Sequence, residues 1–224
     1  MTTNIRSKNS KPYKGMAMEG VIARWYAKNT RQGREFDVLA KRVSEIVPAG
    51  SRVLEVAPGP GFLSIELAKM GKYQVFGVDI SKTFVEIERA NAQDAGVEID
   101  FRQGDAANLP FEDASFDFVI CTAAFKNFTR PAQALSEMHR VLRPQGQALV
   151  IDLRHDASRA EIDREVDRMG LNWINRFFTK SAFSLMLLKN AYTEQQMREF
   201  LSEAGISKSR IPLSGIGFEV WLEK

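Results

Sequence analysis

A chain of 224 residues, 44% apolar and 26% charged, is long enough to bury one substantial core and has the make-up of a globular domain. Its single cysteine, Cys121, excludes an intrachain disulfide, and no apolar run reaches the roughly 20 residues a membrane-spanning helix needs. The net charge of +3 arises in residues 1–14, where Arg6, Lys8, Lys11 and Lys14 stand without an acid, while the other 210 residues carry 27 bases against 28 acids.

That opening segment reads as a solvated basic tail of a domain that is itself near neutral. Glu19 and Arg24 break the apolar stretch behind it, so it is a poor secretion signal and a cytoplasmic protein is expected. Residues 15–48 read as a helical cap with two helices within 18–47, and residues 49–224 as the main domain. From there strands and helices alternate. "SRVLEVA", "YQVFGVD", "VEIDFRQG", "FDFVICT" and "GQALVIDL" are short, rich in Val, Ile and Phe, and bounded by turn residues. "GFLSIELAKMG", "SKTFVEIERANAQDAG" and "RPAQALSEMHRVLRPQG" carry apolar residues at helical spacing. Thr83 and Glu86 have capping-box spacing, and Gly71, Gly96 and Gly146 stand where helices should stop. A helical insertion is expected over 157–190. Thr193 and Gln196 then open another helix, and "KSRIPLSGIGFEVWLEK" closes the chain as a hairpin turning at Ser214–Gly215. The alternation implies a parallel, doubly wound α/β sheet.

In such a sheet, ligands lie beyond the carboxyl ends of the strands. "VLEVAPGPGFLSIELAK" passes from strand to helix through Pro58, Gly59, Pro60 and Gly61, a turn nearly bare of side chains just after the acid Glu55. Glycines there let a ligand approach the backbone and the first N–H groups of the helix. Asp79, at the end of the second strand, is placed to accept hydrogen bonds from a ribose diol. A dinucleotide fingerprint would put glycine or alanine where Ser64 stands, which argues against a nicotinamide-dependent oxidoreductase.

Taken in order, these residues resemble the class I methyltransferases that use S-adenosylmethionine, over roughly residues 35–155 and more loosely in the closing helix and hairpin. The family's first motif, acid-x-Gly-x-Gly-x-Gly, is matched by Glu55, Ala57, Gly59 and Gly61, with alanine in place of the first glycine. Asp79 matches the acid that holds the ribose hydroxyls. "GDAANLPFEDASFDFVIC" carries Asp105, the expected partner of the adenine amino group, with Ala106 beside it. Ile80 and Cys121 complete the cofactor contacts that the resemblance implies. The likeness is greatest to the small-molecule branch that includes the ubiquinone and menaquinone biosynthesis methyltransferases. It implies a seven-stranded, mostly parallel Rossmann-like sheet with a C-terminal antiparallel hairpin. It also implies S-adenosylmethionine as cofactor, no metal, and methyl transfer to a small apolar or aromatic molecule. The acceptor atom stays open between oxygen, nitrogen and carbon.

Methyl transfer from a sulfonium runs largely on alignment, so a dedicated base is not required. His155, after the fifth strand, is the candidate base or substrate contact. Where the family often carries two histidines after the fourth strand, this chain has Lys126 and Asn127. Tyr26, Phe125, Lys126 and Asn127 are expected to face the acceptor, with Trp173 and Phe177 of the insertion behind them. Cap and insertion together would form a lid, in a monomer or a homodimer. Two alternatives remain: a catalytically silent binding subunit, because Ala57–Pro58 alters the cofactor turn, and a nucleic-acid methyltransferase. "CTAAF" stands where an amine-directed nucleic-acid enzyme would carry an Asn/Asp-Pro-Pro-aromatic motif, which disfavours the second.

Overall fold

The structure, a computed structural model, describes residues 13–14, 18–30, 35–168 and 188–224. The expected contacts Trp173 and Phe177, with most of the 157–190 insertion, lie outside the described residues. Five parallel strands form the body of one sheet: β1 (Arg52–Val56), β2 (Gln74–Asp79), β3 (Asp100–Gln103), β4 (Phe116–Thr122) and β5 (Leu142–Leu153). The hairpin adds β6 (Ser209–Arg210), β7 (Leu213–Ser214) and β8 (Gly217–Glu223), with β8 antiparallel to β5. The order is β3-β2-β1-β4-β5-β8-β6, with β7 also on β8. Eight strands replace the expected seven because Pro212, which has no N–H to give to a ladder, separates β6 from β7.

Both faces of the sheet are covered, which is why its strands read as almost continuous apolar runs. On one face, Leu54, Val56, Val119, Val150 and Val220 pack with helices α5 (Pro131–Val141) and α7 (Glu194–Glu203) through Leu135, Met138, Met197 and Leu201. Their sequence neighbours Val53, Phe118, Ile120, Leu149 and Trp221 point the other way. These meet Ala40 and Val43 of α2 (Glu35–Ile46) and Leu63 and Leu67 of α3 (Phe62–Lys69). Helix α4 (Lys82–Asp94) contributes Val85 and Ala92 to a cluster with Phe101 and Ile65. Helix α1 (Gly20–Thr30) lies outermost and buries only Ala23 completely, while α6 (Arg159–Arg168) packs Ile162 and Val166 against Leu188 and Ile216.

Several local expectations are corrected. The cap of α4 is Ser81, whose hydroxyl accepts from the Phe84 N–H at 3.0 Å, and not a Thr83–Glu86 box. Thr83 is engaged elsewhere: its Oγ1 donates to Glu19 at 2.5 Å and accepts from the Gly20 N–H at 3.0 Å. Glu19 also accepts from the N–H groups of Lys82 and Thr83, so the cap segment, not the helix's own first turn, satisfies these orphan donors. Gly146 ends no helix. Helix α5 stops at Val141, and Gly146 lies within β5, beside an irregularity in its pairing with β4. The Thr193–Gln196 box does form, with both reciprocal bonds. Tyr13 and Lys14, counted with the tail, lie against the fold: Tyr13 bridges to Phe128, and the Lys14 N–H donates to Asn127 at 2.6 Å.

Candidate active site

The strand order runs outward in opposite directions from β1 and β4, so the crevice at their carboxyl ends is the switch point of the sheet. The bare turn leaves β1 there. Ala57 adopts φ +57°, a left-handed conformation unusual for a residue with a Cβ, and its N–H bonds to the Val78 carbonyl at 2.8 Å. Gly59 follows at φ +58°, and a Cβ built on it meets nothing within 4 Å, so the turn borders open space. Gly61, at φ +79°, is the N-cap of α3, and a Cβ there would stand 3.2 Å from Phe101 and 3.3 Å from Glu88. The turn is bare on both sides: outward it borders open space at Gly59, and inward β3 and α4 press against it at Gly61.

Three acids underlie this turn. Glu55 is buried, and its Oε2 accepts from the Ser64 N–H at 2.9 Å and from the Ser64 hydroxyl at 2.5 Å. It ties the first turn of α3 to β1, and burial pushes its carboxyl up to about 7 despite those bonds. Asp79 accepts from the Ser81 N–H at 2.8 Å and the Gly59 N–H at 3.3 Å, and burial raises it to about 6. Its carboxyl oxygens keep lone pairs beyond these two bonds, which a diol could use. Glu88, on α4, is wholly buried and neither carboxyl oxygen has a hydrogen-bond partner. Burial first, then the charges of Asp79 and Glu55, lift it to about 10, so it holds a proton at pH 7. Glu88 was not among the sequence candidates.

At the end of β3, Asp105 accepts from the Ala107 N–H at 2.9 Å, while its other oxygen pairs with Arg130 at 2.6 Å. Ile80 and Ala106 are half-buried on this same end of the sheet. A turn bordering open space, an acid beside it and a second acid one strand farther thus gather at one edge of the sheet. Cys121 departs from its expected role. It is wholly buried in the core, with its thiol pushed well up by burial, and presents no accessible surface to a ligand.

A cavity of about 510 Å³ lies between the cap and the end of β4. Tyr26, Asn29 and Thr30 of α1, Glu35, Phe36 and Leu39 of α2, and Thr122 and Ala123 line it. Ala123 is a second left-handed alanine, at φ +55°. Of the described residues expected to face an acceptor, only Tyr26 is in this wall. Phe125 is fully buried, its ring 5.3 Å from that of Phe128 and 6.0 Å from that of Tyr192, so it packs the core instead. Lys126 bonds through its ammonium to the Ala123 carbonyl and, at 3.2 Å, to Asp152, which also accepts from the Lys126 N–H at 2.8 Å. Lys126 thus holds the loop after β4 in place. Asn127 closes that loop with an N–H bond to the Ala124 carbonyl at 3.0 Å. His155 is exposed after β5, its Nδ1 at 2.8 Å from the Leu188 carbonyl, outside the cavity wall. Among the described residues no helix is long and apolar enough to cross a membrane.

Residues 54–150 match the family described as "Methyltransferase domain". A demethylmenaquinone methyltransferase of Deinococcus radiodurans is 39% identical over 108 residues, 48% of this chain and 45% of that protein. One from Chlorobaculum tepidum is 30% identical over 164 residues, 70% of this chain and 66% of the other. The chain spans about half the length of the first of the curated relatives it matches. Among solved structures, an S-adenosylmethionine-dependent methyltransferase from Aquifex aeolicus superposes with a TM-score of 0.68 at 19% identity, covering 89% of this chain and 97% of that one. At that identity the likeness speaks to the fold.

Proposed function

The chain belongs to the class I S-adenosylmethionine-dependent methyltransferases, and on that premise we propose that it transfers a methyl group to a small apolar or aromatic acceptor held under its N-terminal cap. One observation carries this reading. The left-handed turn 57–61 with Asp79, and the cavity walled by α1, α2 and the end of β4, open at the same carboxyl edge of neighbouring parallel strands. Ala57 does not spoil the turn, since it takes the left-handed conformation that a glycine would take there. This weighs against a silent binding subunit.

Asp79 would accept the ribose hydroxyls and Asp105 the adenine amino group, with Ile80 and Ala106 beside the adenine and Gly59 and Gly61 admitting the rest of the cofactor. Glu55 acts behind the turn through Ser64. When bound, the cofactor supplies an electrophilic methyl sulfonium. The protein's part is to align an acceptor with it and to exclude water. Lys126 and Asp152 fix the loop that carries Ala123, and Tyr26 and Phe36 supply aromatic surface. The quinone-directed names of the relatives, and the Phe and Leu in the wall, support an aromatic acceptor of this kind. We assign acceptor contact to the cavity wall and not to His155. The domain is proposed to act in the cytoplasm, as a monomer or homodimer. Calorimetry with S-adenosylhomocysteine, followed by a screen of aromatic acceptors for methyl-donor turnover, tests the reading. Absence of cofactor binding would remove it.

A further inference from the structure

We propose that three buried carboxyl groups beneath the cofactor turn, Glu55, Asp79 and Glu88, make the site selective for the charge of the cofactor. They favour the cationic sulfonium over the neutral thioether left after transfer, and Glu88 is the residue that extends this preference above neutral pH. The inference rests on the methyltransferase reading and deepens it.

The three come from separate elements to one place. Glu55 lies on β1, Asp79 ends β2, and Glu88 reaches in from α4, its Cγ 3.3 Å from where a Cβ on Gly61 would stand. Asn91, farther along α4, gives its amide hydrogen to the Pro60 carbonyl at 2.9 Å, so the helix holds the turn at two points. Glu55 accepts from Ser64, and Asp79 from the N–H groups of Ser81 and Gly59, all uncharged donors, while Glu88 is wholly buried without a hydrogen-bond partner. Among the described residues, none of the three is paired with a lysine or arginine, and no group of acids, histidines and cysteines is arranged to hold a metal ion.

The charges that act on Glu88 are Asp79, Glu55 and, on its own helix, Arg89, whose guanidinium is bonded to the Phe101 carbonyl at 2.6 Å. Asp79 also feels Glu19 of the cap segment, and Cys121 of β4 feels the same two strand acids. From β3 the turn meets only the apolar ring of Phe101. Buried carboxylates ordinarily need a cation beside them. Here protons take that part, and Glu88 keeps its own up to about 10.

A cation seated on the turn changes that balance. It lowers the proton affinity of the carboxyls below it, so its binding releases protons and tightens as pH rises between the bound and free values. Glu55 and Asp79, at about 7 and 6, have already lost their protons by pH 9, which leaves Glu88 as the carboxyl of the three with one to give. The thioether carries no such charge. A unit charge felt across a partly screened interior weakens the hold of a carboxyl on its proton by about ten- to thirtyfold.

The test is titration calorimetry of the full chain and of Glu88→Gln with S-adenosylmethionine and with S-adenosylhomocysteine, at pH 7 and pH 9, in two buffers of different protonation enthalpy. Glutamine copies the protonated carboxyl in shape but has no proton to give. At pH 7 the preference for sulfonium over thioether should agree within about twofold between the two proteins. At pH 9 it should be about two- to fourfold larger in the parent, which should release about half a proton more with S-adenosylmethionine than the variant does. Titration of the ligands' own amino groups is common to both proteins and cancels. Glu88→Leu, also without a proton to give, is the second variant and should follow Glu88→Gln, with the folded state of each checked by circular dichroism. Equal preference and equal proton release in parent and variants at pH 9 overturn the proposal. A gap of the same size at pH 7 and pH 9 overturns it as well, since a change of packing alone does not follow pH. Absence of S-adenosylhomocysteine binding to the parent at pH 7 defeats the methyltransferase reading, whereas binding without the pH-dependent gap defeats only this inference.

Discussion

Replacing Glu88 by glutamine should make the protein more stable, and by an amount that grows with pH. The carboxyl is fully buried, has no hydrogen-bond partner and titrates near 10 in the fold, against an ordinary value of 4.5. A carboxyl raised on folding contributes its full stability below the unfolded value and loses it as pH rises toward the folded value, because only the unfolded chain then ionises. At pH 7.5 the chain stands three units above 4.5, which corresponds to about 4 kcal/mol that favours unfolding. Relaxation and entry of water around the carboxyl reduce this, so a gain of about 2–4 kcal/mol is expected for Glu88→Gln, which has no charge to acquire. In a domain of this size that is a rise in melting temperature of about 5–15 °C at pH 7.5, with little difference at pH 5. Thermal unfolding followed by circular dichroism from pH 5 to pH 9 reads the effect directly. Melting curves of variant and parent that stay parallel across this range would refute the reasoning, since a carboxyl already ionised in the fold gives no growing gap.

The remaining outcomes concern the turn, the cap and the adenine acid. Ala57→Gly should be neutral or stabilising by up to about 1 kcal/mol in chemical denaturation, since relief of the left-handed strain is partly offset by the greater freedom of glycine when unfolded. Gly61→Ala should destabilise by about 1–3 kcal/mol in the same assay, because a Cβ at φ +79° would press on Phe101 and Glu88. Glu19→Ala removes acceptors from two N–H groups and a hydroxyl at the start of α4 and should cost about 1–2 kcal/mol, with faster protease cleavage near α1. Arg130→Ala should weaken S-adenosylhomocysteine only about two- to fivefold in calorimetry, as both partners of the Arg130–Asp105 pair are partly exposed.

The order of strands and helices, and the gathering of Glu55, Asp79 and the bare turn at the carboxyl ends of the strands, were legible because each rests on local pattern. Val53 and Leu54 alternate faces, Gly59 and Gly61 punctuate, and Asp79 ends a strand. Glu88 was not legible. In a helix whose other inward positions read Phe84, Val85 and Ala92, a lone glutamate reads as part of the solvated face, and only packing against Gly61 reveals it. Glu19 was hidden for a different reason: the N–H groups it satisfies lie more than sixty residues along the chain. Phe125 and Cys121 stand close in sequence to the functional loop, but strand alternation and the ring of Tyr192 turn them into the core. Nothing local marks Glu35, an acid at a helix start like many others, and only the approach of α1, α2 and the end of β4 makes it part of a wall.

The central claim, that Asp79 and the turn 57–61 hold the adenosyl group, is tested most directly by calorimetry of S-adenosylhomocysteine with the parent chain and with Asp79→Ala. Losing a charged acceptor for the ribose hydroxyls should cost about 1.5–3 kcal/mol, or roughly ten- to a hundredfold in affinity, with the variant still folded by circular dichroism. Equal affinity of the two proteins for S-adenosylhomocysteine would contradict the assignment of the site.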